Sequence, residues 1–166
     1  MRLIPIVVLS LAVIGSFPAM AADEFALLKA ERIGPLRIDL PEGEAARNIA
    51  CQLRRGPVAR WEADGDYHQE WAYPDCGIAL DMGAATPKSR QTIRAITLTR
   101  PSPWKTRRGI GIGGTEREAM AAYGHDRELE TSVPGKRLVA GTVYGGLVFT
   151  FHRGRVTRIF LGAAAE

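Results

Sequence analysis

The sequence predicts an α+β fold made of two tandem units, each a helix laid on an antiparallel sheet. Three observations predict it. Residues 36–45 align with 110–119 at one constant offset, each segment giving two alternating apolar residues, a break and a helix start. Downstream, Gly77, Ile78, Leu80 and Met82 match Gly146, Leu147, Phe149 and Phe151, and Ile93, Ile96 and Leu98 match Val156, Ile159 and Leu161. Both copies therefore end in a pair of strands whose apolar residues fall on one face, and such a face must be covered. Thr115 and Glu118 also form a T-x-x-E capping box, a signature of a helix N-terminus. The expected organisation is an export signal over 1–21, a first α+β repeat holding a disulfide over 22–104, and a second repeat over 105–166.

Arg2 opens the chain with a positive charge, and 3–17 is almost entirely apolar. Pro18 ends that run, and in Ala19-Met20-Ala21 the two alanines place small side chains at both positions a signal peptidase needs, with cleavage expected near Ala21. The run is shorter than the ~20 residues a spanning helix requires. No cysteine stands at the cleavage point to carry a lipid, so no stable membrane anchor is expected and the location is periplasmic or secreted. Cys51 and Cys76 are the only two cysteines. In an oxidising compartment one intramolecular disulfide is the default for such a pair, and closing a loop of this size contributes about 3 kcal/mol. Their spacing excludes a C-x-x-C redox centre.

In the first unit a helix is predicted over 42–53, with Pro41 suited to its first turn. A strand follows over 60–73, then the strand pair matched above, joined by the polar stretch 83–92. In the second unit the capping box starts a helix over 115–123 that Gly124 stops. A strand over 137–144 precedes the second pair, and Gly154 supplies the positive φ its tight hairpin requires.

The formal net charge is +4, one unit less once Arg2 leaves with the signal. Arginines are scattered among acids without the clustered basic stripe that nucleic-acid binding needs, so no nucleic acid is expected as partner. Arginine does favour bidentate contact with carboxylates, which keeps an acidic protein surface among the expected partners.

Set beside the 146–161 hairpin, the segment carrying Gly109, Ile110, Gly111, Ile112, Gly113, Gly114, Thr115, Glu118, Tyr123 and Gly124 resembles the short repeats of bacterial envelope proteins with the β-lactamase-inhibitor-protein-like fold. That group includes the small lipoprotein of the outer-membrane β-barrel assembly machine, from which this chain departs by lacking the lipid-bearing cysteine. Most of the likeness lies in 106–161. The resemblance implies helices packed on an antiparallel sheet whose open face and loops grip a protein partner; it carries over no site residue.

Other constellations have plainer readings. Gly109, Gly111 and Gly114 spell the letters of a dinucleotide fingerprint, but no buried parallel strand precedes them and no βαβ crossover follows. Asp64, Asp66, His68 and Glu70 alternate as metal ligands on one side of a strand would. Their spacing matches neither a calcium loop nor a zinc motif, and Asp64-Gly65-Asp66 also reads as a turn, so no metal or cofactor is expected. His68, His125 and His152 are dispersed, Ser89, Ser102 and Ser132 lack an elbow context, and Glu128 and Glu130 read as loop charges, so no enzyme is expected.

Trp61, Tyr67, Trp71 and Tyr73 cluster in a chain with only 3 Trp and 4 Tyr. All four share strand parity if no turn intervenes, either as core packing or as the anchors of an interface. They are the candidate partner-binding residues. The function expected from export and from the resemblance is a soluble periplasmic protein-binding protein, an inhibitor or immunity protein against a secreted or cell-wall-active hydrolase. The alternatives are an envelope accessory or assembly factor and an unrecognised periplasmic hydrolase.

Overall fold

The structure, a computed structural model, describes residues 25–163. The export signal expected over 1–21 lies outside them. Ten elements follow in order: α1 (Ala26–Ala30), α2 (Glu42–Asn48), β1 (Arg54–Arg60), β2 (Tyr67–Tyr73), β3 (Ile78–Ala84), β4 (Thr92–Leu98), α3 (Glu116–Tyr123), β5 (Arg137–Thr142), β6 (Gly145–His152) and β7 (Arg155–Gly162). The fold is α+β. All seven strands belong to one antiparallel sheet in the order β1-β2-β3-β4-β7-β6-β5. The two expected units thus share a continuous sheet, joined where β4 pairs with β7.

Local sequence accounts for the elements. At α3, Thr115 accepts from the Glu118 backbone N–H at 3.1 Å, and the Glu118 carboxylate accepts from the Thr115 N–H at 2.7 Å. The capping box expected from the sequence is therefore closed on both sides. Pro41 stands at the N-cap of α2. That helix ends at Asn48 rather than running to residue 53, because Ile49 turns into extended backbone and Cys51 is bonded to Cys76, with Cα atoms 6.1 Å apart.

The strand expected over 60–73 is instead a hairpin. Asp64 and Gly65 make its turn: the Asp66 N–H donates to the Asp64 carboxylate at 3.0 Å, and the Trp61 N–H donates to the Asp66 carbonyl at 2.8 Å. The partner strand β1 carries Gly56 and Pro57, which in sequence read as loop. Pro57 has no N–H to donate, yet at the sheet edge none is required, and a register shift between Arg55 and Val58 accommodates it.

One irregularity occurs in both hairpins. Asp81 pairs with Ala95 and Met82 with Ile93, which leaves Arg94 as an extra residue in β4. Thr150 pairs with Arg158 and Phe151 with Val156, which leaves Thr157 extra in β7. A bulge of this kind lets residues three apart share a face. Ile93 with Ile96, and Val156 with Ile159, are accordingly all buried in the core. Across the junction Ile96 pairs with Leu161, Leu98 with Ile159 and Thr97 with Phe160. Exchanging the two hairpins maps these pairs onto one another, with Thr97 and Phe160 facing their own counterparts.

The inner face of the sheet holds the core. Trp71, Tyr73, Leu80, Met82, Leu138, Leu147 and Phe149 pack there beneath Ala45 of α2 and Ala119 and Tyr123 of α3. Tyr123 donates to the buried Glu31 carboxylate at 2.8 Å, and the other Glu31 oxygen accepts from the Arg107 N–H at 2.8 Å. Burial pushes the Tyr123 phenol well above its ordinary range, so it remains a neutral donor. This contact ties the segment after α1 to α3. At the far edge of the sheet, β5 is bonded by the segment before it: Glu128 donates to the Val139 carbonyl at 2.9 Å and Val139 to the Ser132 hydroxyl at 3.0 Å. Among the described residues no helix is long and apolar enough to cross a membrane.

Candidate functional site: the open face of the sheet

The helices cover one face of the sheet, so the outward-pointing residues of the other face form the candidate site. Strand register orders them in rows. The central row runs across six strands: Ala72 pairs with Ala79, Ala79 with Thr97, Thr97 with Phe160, Phe160 with Val148 and Val148 with Val139. Beside it on the first half lies a row of Glu70, Asp81 and Ala95. Beside it on the second half, in the opposite direction along the strands, lies a row of Arg137, Thr150 and Arg158. Adjacent strands stand about 4.8 Å apart, so each row is a ladder of neighbouring side chains.

Two shallow depressions of about 460 and 400 Å³ share Trp61, Asp81, Ala95 and Phe160 in their walls. Trp61 comes from the β1–β2 turn and folds over the face. Its ring stacks on His68 with centroids 3.9 Å apart and planes 5° from parallel, while 49% of the residue stays exposed. Arg158 lies over the Phe160 ring at 5.3 Å.

His68 is 4% exposed and lies between two carboxylates. Its Nδ1 is 2.8 Å from Asp81 Oδ2, and its Nε2 is 2.9 Å from Asp64 Oδ2. Each ring nitrogen is thereby placed against a carboxylate oxygen, and a ring N–H donates in at least one of the two contacts. Arg94 beside it reaches Asp66 at 2.9 Å and Asp39 at 3.3 Å, and its charge is thereby matched locally.

The two carboxylates titrate in opposite directions. The Asp66 backbone N–H, followed by the His68 contact, holds Asp64 below its ordinary value of 3.8. Desolvation pushes Asp81 above 3.8, and the contact to His68 only partly offsets it. As pH falls from neutral, protonation of Asp81 removes an unfavourable buried charge and adds stability at values above 3.8. Stability contributed by Asp64 persists through that range and is lost only as pH drops through its depressed folded value. Carboxyl carbon NMR should give an Asp81 midpoint above 3.8 and an Asp64 midpoint below it, with His68→Gln raising the Asp64 midpoint. The reverse order of the two midpoints would contradict the geometry described here.

The sequence-predicted residues divide between the two faces. Trp71 and Tyr73 are each 1% exposed on the inner face, so they pack in the core and present no surface to a partner. Trp71 donates to Gln69 at 3.0 Å, and the Arg55 guanidinium covers its ring at 4.3 Å. Tyr67 has the same parity and is half-buried. Trp61 is parted from them because the hairpin turn interrupts the strand and throws its ring onto the opposite face. Phe160, Arg158 and Arg137 belong to this site and were not identified from the sequence. The available signal was an aromatic ring at the outward position between Ile159 and Leu161.

The remaining motifs have local roles. Gly109 and Gly113 adopt φ of +86° in the turns before α3, and Glu118 occupies the helix end where a phosphate would have to sit. Ser132 is hydrogen-bonded to Val139, and Glu128 is paired with Thr131 rather than with Glu130. His125 and His152 are exposed. Both nitrogens of His68 already face carboxylates, so neither is free to take a proton from a nucleophile. Asp64, His68 and Asp81 contact one another directly, and among the described residues no group of three or more His, Cys, Asp or Glu side chains is arranged to hold a metal ion. Comparison with protein-family models, with curated proteins and with solved structures returned no match.

Proposed function

We propose that this protein is an exported binding protein that grips another protein with the open face of its sheet. The observation that carries the reading is the depression walled by the half-exposed Trp61 and the half-buried Phe160, with Thr97 beside them and the buried Val139 and Val148 as its floor. Exposed aromatic surface backed by a rigid sheet suits a docking partner, since anchors of this kind bury area while losing few rotamers. The Cys51–Cys76 disulfide supports an oxidising location, periplasmic or secreted. The shared bulge and the self-matching register of β4 and β7 support a duplicated unit of the β-lactamase-inhibitor-protein-like kind. On this reading the protein acts as an inhibitor or immunity protein toward a secreted or cell-wall-active hydrolase.

The test compares the mature protein with Trp61→Ala and Phe160→Ala as bait in envelope extract, read by quantitative mass spectrometry at several salt concentrations. A partner should be retained by the parent and lost at least tenfold by both variants, with thermal midpoints little changed. A partner retained equally by all three proteins, or none retained at any salt concentration, would overturn the reading.

A further inference from the structure

The open face is polarised in charge by its own register. The hairpin exchange that maps Ile96 onto Ile159 and Leu98 onto Leu161 also sets Asp81 against Thr150 and Ala95 against Arg158. Glu70, paired with Asp81, corresponds to Arg137, paired with Thr150. Equivalent positions in the two halves thus carry an acidic row and a basic row, set diagonally across the apolar centre. Both rows line the depressions, with Glu70 and Asp81 on one side and Arg137 and Arg158 on the other.

Local pairing does not cancel these charges. Among the described residues Glu70, Arg137 and Arg158 enter no ion pair, and all three are exposed. Asp81 is shared with His68, so Glu70 carries the acidic end. Arg94, whose charge acts on Asp81, is matched by Asp66 and Asp39. The Arg137 Nε donates to the Thr131 carbonyl at 2.9 Å, which fixes that side chain while its charge stays at the surface.

We infer that the segment this face binds is an extended polypeptide lying across the strands, with a cationic side chain at one end, an anionic side chain at the other and apolar residues between. The cation meets Glu70, the anion meets Arg137 and Arg158, and the apolar middle lies on Phe160 beside Trp61. Glu70 on β2 and the Arg137–Arg158 pair centred on β6 are four strand spacings apart across the sheet, about 19 Å, and about four residues or ~13 Å apart along the strands, a diagonal of about 23 Å. An extended chain rises ~3.3 Å per residue, so the two charges stand about seven residues apart. Reversing either charge would put like charges together, which opposes binding and so selects among partners. The inference rests on the proposed docking role and adds the chemistry of what docks.

The test pans a random twelve-residue peptide library against the whole oxidised protein, and maps the enriched peptides by backbone amide NMR. The expected peptides carry Lys or Arg and Asp or Glu about seven residues apart around an apolar centre, and they shift Thr97 and Phe160. Their affinity should fall at least tenfold in R137E/R158E and recover when the peptide's acid is changed to a base. Peptides that map to this face without paired charges, or that bind R137E/R158E unchanged, would overturn the inference and leave the docking role standing. Peptides that all map elsewhere would overturn both.

Discussion

Truncating Trp71 to alanine is expected to lower the unfolding free energy by about 3–5 kcal/mol, the usual cost of removing a large aromatic ring from a packed core. The ring is 1% exposed, contributes to the largest buried cluster of the molecule and lies under the Arg55 guanidinium, so its loss leaves a cavity that a continuous sheet cannot collapse around. The contrast is with Trp61, ten positions earlier on the other face. Trp61→Ala should cost about 1 kcal/mol or less, because half of the ring already meets solvent and its main contact is the His68 stack. Urea denaturation of the two variants separates the cases directly. Similar losses in both, or a greater loss in Trp61→Ala, would mean that the assignment of these rings to opposite faces is wrong.

Removing the disulfide is the other large effect expected. Cys51 and Cys76 are separated by 25 positions in the chain, and closing a loop of that length restricts the unfolded chain by about 3.5 kcal/mol. The bond ties the stretch between α2 and β1 to the turn after β2. Because β1 is an edge strand interrupted by Pro57, it has one neighbour only and depends on that tether more than β3 or β6 would. Cys51→Ala/Cys76→Ala, or the parent under a strong reductant, should therefore melt roughly 10 °C lower, taking about 2–4 °C per kcal/mol for a chain of this size. Hydrogen exchange should rise most in β1 and α2. A midpoint unmoved by reductant would show that the loop is held by its packing alone.

Much of the architecture was legible in the residues, because its signals are local. The capping box at Thr115 and Glu118, the glycine turn before Arg155 and the alternating apolar residues of β3, β6 and β7 each specify an element without help from distant contacts. What was not legible depended on neighbours. Gly56 and Pro57 form a strand because the sheet edge tolerates a missing donor, and nothing local announces that an edge is available. Asp64 and Gly65 were open to reading as strand or turn, and the choice decides which face receives Trp61. The site was legible only in part for the same reason. Its one sequence-predicted anchor with ample exposed surface is Trp61, whereas Phe160 and the arginines beside it become a surface only once β7 is seen to lie against β4.

That junction bears on how the molecule folds. Each hairpin closes over a short stretch of chain, whereas the contact of Thr97 with Phe160 brings together strands from the middle and the C-terminal part of the sequence through only three registered pairs. Ordering so long an intervening loop is slow relative to zipping a hairpin, so the two meanders should form early and their union should set the rate. Substitutions at Ile96 or Leu161 should then slow refolding more than they speed unfolding, and the assembled trough exists only after that final step.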